Sequence, residues 1–189
     1  MQTERERHFK GWVEEHSDIL YGYCLRRTAD AELAKDLVQE TFLAAWRNRE
    51  AYKGEASEKN WLFVILKSKL IDHYRKLANK ATLEAIAQEH NDVVYFDGED
   101  HWRKGMYPKD RRVSFSQPVE VKEFYAIFRS CGKKLKELQY SVFVMKYVDG
   151  LESEEICKVL GLTSSNYWVL VHRAKVQLRA CLEKNWMKS

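Results

Sequence analysis

The stretch from Tyr147 to Leu182, YVDGLESEEICKVLGLTSSNYWVLVHRAKVQLRACL, holds two helical patterns parted by a single glycine. Asp149-Gly150 is a turn dipeptide, and Ser153 stands where it can cap the helix that follows. Glu154 and Glu155 then fall in the first turn, where negative charge suits the helix dipole. Ile156, Val159 and Leu160 share one face. Gly161 comes where a left-handed residue can end a helix, a conformation only glycine takes without steric cost. Thr163 can cap the next helix, whose apolar stripe is Tyr167, Leu170, Val171, Ala174, Leu178 and Leu182. The opposite face carries Trp168, His172, Lys175 and Arg179, with Arg173 beside it, and Ser164, Ser165 and Asn166 crowd the N-terminus.

Two helices joined by so tight a turn form a helix-turn-helix, which seats its second helix in the DNA major groove. An ordinary helical hairpin with a solvated basic face fits the same pattern. Charge favours DNA: from residue 119 onward there are 12 Lys and Arg against 8 Asp and Glu, whereas the net charge of the whole chain is +4. The positive charge is concentrated where phosphate contact requires it.

A chain of 189 residues, 45% hydrophobic and 32% charged, is globular and can bury one good core or two small ones. Only 8 Gly and 2 Pro argue for an all-α protein. The N-terminus, MQTERERHFKGW, has no apolar signal core, and no run reaches membrane-spanning length, so membrane insertion is not expected. The four cysteines (Cys24, Cys131, Cys157, Cys181) are scattered without a Cys-x-x-Cys pair. Cys157 and Cys181 sit among apolar residues at helical spacing, the pattern of small core residues. The histidines are equally dispersed. Neither a metal site nor a catalytic thiol is expected, and the usage fits a reducing cytoplasm.

Upstream, DAELAKDLVQETFLAAWRNRE reads as a helix capped by Asp30, with Leu33, Ala34, Leu37, Val38, Thr41, Phe42, Ala45 and Trp46 inside. Lys35, Asp36, Gln39, Glu40 and Arg47 form its polar stripe, either a solvated face or a partner surface. After the short polar loop AYKGEASEKN comes WLFVILKSKLIDHYRKLANK, with Leu62, Ile65, Leu66, Leu70, Ile71 and Tyr74 inside. Lys67, Lys69, Arg75, Lys76 and Lys80 lie on its other faces, with Tyr52, Trp61 and Phe63 nearby. Cations beside aromatic rings suit single-stranded nucleic acid, whose bases stack while the backbone is held. Tyr52 and Trp61 can equally be core.

The ordered set DLVQETFLAAW, AYKG, WLFVIL and IDHYRK, followed by the helix-turn-helix, resembles the sigma factors of RNA polymerase. The likeness is to the small two-domain members of the sigma-70 class, the extracytoplasmic-function (ECF) group. It spans most of Tyr21 to Lys76 and Leu135 to Leu182. It implies two small helical domains, residues 1–80 (region 2) and 119–189 (region 4), joined by a linker over 81–118.

The resemblance also implies roles. Asp36, Gln39 and Glu40 match the helix that docks on the clamp of the polymerase's largest catalytic subunit. Tyr52 to Asn60, with Lys53, Ser57 and Lys59, match the loop that captures a flipped base of the −10 element. Trp61, Lys67, Ser68, Asp72 and Arg75 match the helix that melts and reads that element. Ser164, Ser165, Asn166, Trp168, Val169, His172, Arg173 and Lys175 match the helix that enters the major groove at the −35 element. Core RNA polymerase, duplex and single-stranded promoter DNA and an anti-sigma protein are the implied partners, with no cofactor and no small-molecule substrate. Many relatives carry Arg-Asn where Lys67-Ser68 stands, and basic residues where Trp168 and Leu170 stand, so promoter preference is not carried over.

Between Ala81 and Val119 the periodicity stops, and both prolines, Pro108 and Pro118, fall there. About 35 residues at ~3.3 Å each reach on the order of 115 Å, against about 70 Å for two turns of B-DNA. The linker is therefore long enough to hold two domains on separated promoter elements. Its aromatic cluster, Tyr95, Phe96, His101, Trp102 and Tyr107, suggests docking on polymerase or on the idle factor's own domains. The reading is a promoter-specificity factor without enzymatic activity, since no polar cluster has catalytic spacing. The alternative is a stand-alone helix-turn-helix regulator with an N-terminal partner- or ligand-sensing domain.

Overall fold

Asp30 starts its helix as its position suggests: Oδ1 accepts from the backbone N–H of Glu32 at 2.8 Å and of Leu33 at 3.0 Å, occupying two donors the helix leaves open. The computed structural model describes residues 4–84 and 118–186. Those residues form seven α-helices and a single 3-10 turn, Arg49–Ala51, with no strand among them. The linker cluster from Tyr95 to Tyr107 lies outside them. The chain divides into two compact units, Met1–Tyr74 and Arg75–Ser189.

In the first unit, α1 (Glu4–Thr28) and α2 (Ala31–Arg47) are joined by only Ala29 and Asp30, which folds them back as a hairpin. Ala29 takes φ 55° there, a left-handed conformation that is uncommon for a residue with a Cβ. The third helix, α3 (Glu58–Glu84), belongs to this unit as far as Tyr74 and meets α1 at points that follow the same order along both. Trp12 meets Trp61, Tyr23 meets Phe63, and Tyr74 Oη donates to the carbonyl of Arg27 at 3.0 Å. Leu20, Ala34, Leu37, Leu62, Leu66 and Leu70 close the core between them. Of the interior positions expected from periodicity, Leu33, Trp46, Ile65 and Ile71 sit half-buried at its margin. Missing from the sequence reading is α1, although Phe9, Trp12, His16, Leu20 and Cys24 recur along it at three- and four-residue steps.

The second unit holds α4 (Pro118–Gly132), α5 (Glu137–Tyr147), α6 (Ser153–Leu160) and α7 (Ser164–Asn185). Val142, Val144, Met145, Ile156, Tyr167, Val171 and Ala174 are buried among them. Gly132 ends α4 against the ring of Tyr140, where a Cβ would come within 2.5 Å of Tyr140 Cε2. Gly161 has φ 65° and ends α6, and Thr163 Oγ1 accepts from the N–H of Asn166 at 3.2 Å to start α7. Both follow from local sequence.

Three expectations are corrected. Ser153 does not cap α6: Glu152 takes the extended cap position without a side-chain bond, and Ser153 is the first helical residue. Its hydroxyl instead lies 3.1 Å from Tyr167 Oη, fastening α6 to α7. Cys181 is not a small core residue: it is partly exposed and disulfide-bonded to Cys131, with Cα atoms 5.7 Å apart. The fold brings the end of α4 against the end of α7, a pairing across 50 residues that helical periodicity cannot register. Cys157 is likewise only half-buried.

Candidate nucleic-acid interface

Helical spacing sets Asp36, Gln39 and Glu40 on one exposed face of α2, opposite the buried Leu37, Val38 and Thr41. Thr41 is tolerated inside because its hydroxyl donates to the carbonyl of Leu37 at 2.7 Å. Lys69 of α3 reaches Glu40 at 3.5 Å, and Lys35 pairs with Glu32 at 2.7 Å. The acidic stripe thus has a basic rim. Leu43 stands in the same stripe, 55% exposed, one turn beyond Gln39 and Glu40. Sequence reading passed over it, although a leucine at a polar-face position is a visible signal.

The loop before α3 is folded by its own side chains. Tyr52 Oη donates to the carbonyl of Ala56 at 2.7 Å, Gly54 takes φ 76°, and Ser57 Oγ accepts from the N–H of Asn60 at 3.3 Å. Tyr52 and Trp61 lie with ring centroids 5.1 Å apart, and both rest edge-on against the buried Trp12, at 5.3 and 5.7 Å. Each ring packs on Trp12, and each remains half-open to solvent. Lys53, Lys59 and Asn60, neighbours of the two rings in sequence, are exposed. Further along α3, Lys67, Ser68, Asp72 and Arg75 are also exposed, and Asn60, Val64, Lys67, Ser68 and Arg75 recur at helical spacing on one side. Val64 is 67% exposed there and, like Trp12, was not singled out from sequence.

On α7 the exposed N-terminal residues are Ser164, Ser165 and Asn166, presented by the Thr163 cap. Trp168, Val169, His172, Arg173 and Lys175 are half-buried. Trp168 packs against Tyr167 at 4.9 Å and His172 at 6.1 Å, and the Lys175 ammonium stands 5.5 Å over the ring of Tyr147 on α5. Tyr167 itself is fully buried, and burial pushes its phenol above the ordinary value against the opposing hydrogen bond from Ser153. A fixed inner tyrosine thus orients an outer face of mixed polar, aromatic and basic groups. Such a face can meet phosphates and base edges.

Among the described residues no group of three or more His, Cys, Asp or Glu could hold a metal ion. No helix among them is long and apolar enough to cross a membrane.

Residues 12–80 match the family model for sigma-70 region 2, and residues 126–178 match that for sigma-70 region 4. A probable RNA polymerase sigma factor of Haemophilus influenzae is 37% identical over 154 residues, covering 82% of this chain and 79% of that protein. The RNA polymerase sigma factor YlaC of Bacillus subtilis is 30% identical over 179 residues, covering 92% of this chain and 88% of its own. The solved sigma factor RpoE of Bartonella quintana, in complex with the anti-sigma factor NepR, aligns with a TM-score of 0.43 and 17% identity over 95% of this chain and 99% of that one.

Proposed function

This chain belongs to the sigma-70 family of RNA polymerase sigma factors, in the ECF group, and directs promoter-specific transcription initiation; on that basis we propose a two-point grip on the promoter. In it residues 1–80 dock on core polymerase and hold the melted −10 strand, residues 119–189 read duplex −35 DNA, and residues 81–118 tether them. The carrying observation is the exposed face of α2, where Asp36, Gln39 and Glu40 stand together within the region 2 match.

The half-open Tyr52–Trp61 pair, with the exposed Lys53, Lys59 and Asn60 close by in sequence, supports capture of an unstacked base, with Ser57 shaping the loop. Lys67, Ser68 and Arg75 continue the same track along α3. The exposed N-terminus of α7, backed by Trp168, Val169, His172, Arg173 and Lys175, supports major-groove contact. No catalytic group, cofactor or small-molecule substrate enters this reading. An anti-sigma protein that masks these faces belongs to it, as does the cytoplasm, where polymerase works. The stand-alone regulator is not favoured, because the upstream half matches a sigma region rather than a sensor.

Tethering both arms to polymerase raises their effective concentration, so each can bind weakly alone. In-vitro transcription with core polymerase on genomic fragments is expected to give discrete start sites that depend on this protein and vanish with Glu40→Lys. The isolated protein should bind DNA weakly and with steep salt sensitivity. Tight sequence-specific binding without polymerase, or unchanged polymerase binding by Glu40→Lys, would overturn the assignment.

A further inference from the structure

Promoter binding leaves one feature unexplained, at the end of α7 remote from its N-terminus. Cys131, fully buried at the end of α4, is bonded to Cys181, which is partly exposed. The Cys181 sulfur has Lys134 Nζ at 3.7 Å and Asn185 Nδ2 at 3.4 Å, and the same amide donates to the Cys181 carbonyl at 2.7 Å. One sulfur is sealed in the core, and the other is open beside an ammonium group and an amide donor. A cation at that distance favours the thiolate over the thiol, and the thiolate is the reactive form. At Cys24 and Cys157 burial is the larger influence and raises both thiols, at Cys24 against the nearby Arg27.

We propose that Cys131–Cys181 is a reversible thiol–disulfide modification site, with Cys181 the exchanging sulfur, and that its state sets how firmly the DNA-reading helix is held in its domain. The consequence for transcription rests on the sigma-factor reading. A polymerase partner keeps the chain where disulfides are transient and redox-sensing rather than structural. In the closing direction the Cys181 thiolate attacks hydrogen peroxide, giving a sulfenic acid and hydroxide, which takes a proton to become water. The Cys131 thiol then displaces the second water as the S–S bond forms, so two thiols and one peroxide give one disulfide and two waters. In the opening direction a dithiol reductant attacks Cys181, releases Cys131 as the thiol and is itself oxidised to a disulfide.

The link joins α4 to the last turns of α7, one turn beyond the buried Leu178. It closes a long loop, and such links stabilise mainly by restricting the unfolded chain. Opening it leaves the C-terminal half of α7 held by packing alone, and the N-terminal half that meets DNA loses its fixed base.

The test uses the full-length protein, treated with peroxide or with dithiothreitol, then alkylated and mapped by mass spectrometry. Peroxide should protect Cys131 and Cys181 from alkylation, and dithiothreitol should reopen them. Reduction should lower the melting temperature by about 10 °C or more. Cys131→Ser and Cys181→Ser should each melt at the reduced value and ignore peroxide. Lys134→Met, which keeps both thiols, should slow peroxide closure severalfold without changing the melting temperature of the closed form. Holoenzyme initiation from a promoter that requires its −35 element should fall severalfold on reduction. Alkylation of both thiols after peroxide treatment would overturn the site, and closure without effect on melting or initiation would overturn the switch. A protein that closes, melts differently and yet never supports initiation would leave the modification site standing and sink the sigma-factor reading.

Discussion

Lys69 Nζ lies 3.5 Å from Glu40 Oε2, so a basic side chain of α3 is held against the acidic stripe of α2. Glu40 keeps 58% of its side chain exposed in that pairing. An ion pair this open contributes roughly 0.2–1 kcal/mol, too little to account for the stripe as a stability device.

Glu40→Lys is therefore expected to leave thermal unfolding within a few degrees of the parent while weakening core polymerase binding by about tenfold or more, as for a lost interface charge. The double reversal Glu40→Lys/Lys69→Glu restores the pair but not the docking face. Polymerase pull-down and calorimetry on the three proteins separate the two effects. Restored docking in the double variant would contradict the interface role.

The aromatic cluster divides in the same way. Trp12 is 4% exposed, so Trp12→Ala should destabilise the first unit by about 3–5 kcal/mol, measured by denaturant unfolding. Trp61 is half-open, and Trp61→Ala should instead reduce promoter opening, read by permanganate reactivity of unpaired thymines, by roughly tenfold, in line with ~1–3 kcal/mol per stacked base. Duplex −35 binding should not change.

Gly132→Ala probes the packing of α4 on α5. Its methyl group would meet the Tyr140 ring at 2.5 Å, and overpacking of this kind costs about 1–3 kcal/mol. Tyr140→Leu in the same background should recover part of the loss by removing the ring. Equal stability of the parent and Gly132→Ala would show that the ring moves freely.

Alkaline pH should unfold the protein through buried acids. Burial pushes the Cys24 thiol from 9.0 up to about 12, with Arg27 pulling weakly the other way, and burial also raises the Tyr167 phenol. The native state then holds protons that the unfolded chain releases. The stability that the Cys24 thiol contributes is complete below about pH 9 and is lost as pH rises toward about 12. Melting temperature measured from pH 7 upward should fall more shallowly for Cys24→Ala than for the parent, and parallel curves would discount the thiol.

The caps at Asp30 and Thr163 and the left-handed Gly161 could be read in advance because each depends on bonds or dihedrals within three residues. Ser153 could not. Its hydroxyl is taken by Tyr167, which comes 14 residues later, and no local pattern records that competition. Trp12 was legible in principle from its helical spacing with Phe9, His16 and Leu20, but the dense charges of the N-terminus obscured it. Leu43 and Val64 were legible too, as apolar residues on polar faces.

By itself the sequence determined α2, α3, α6 and α7, the main faces they bury and the family, because periodicity, capping and motif order are properties of neighbouring residues. Only the tertiary structure decided that Trp12 lies against Tyr52 and Trp61, that Lys69 meets Glu40, and that Cys131 closes on Cys181. Each joins residues far apart in sequence, and their meeting depends on how whole helices pack.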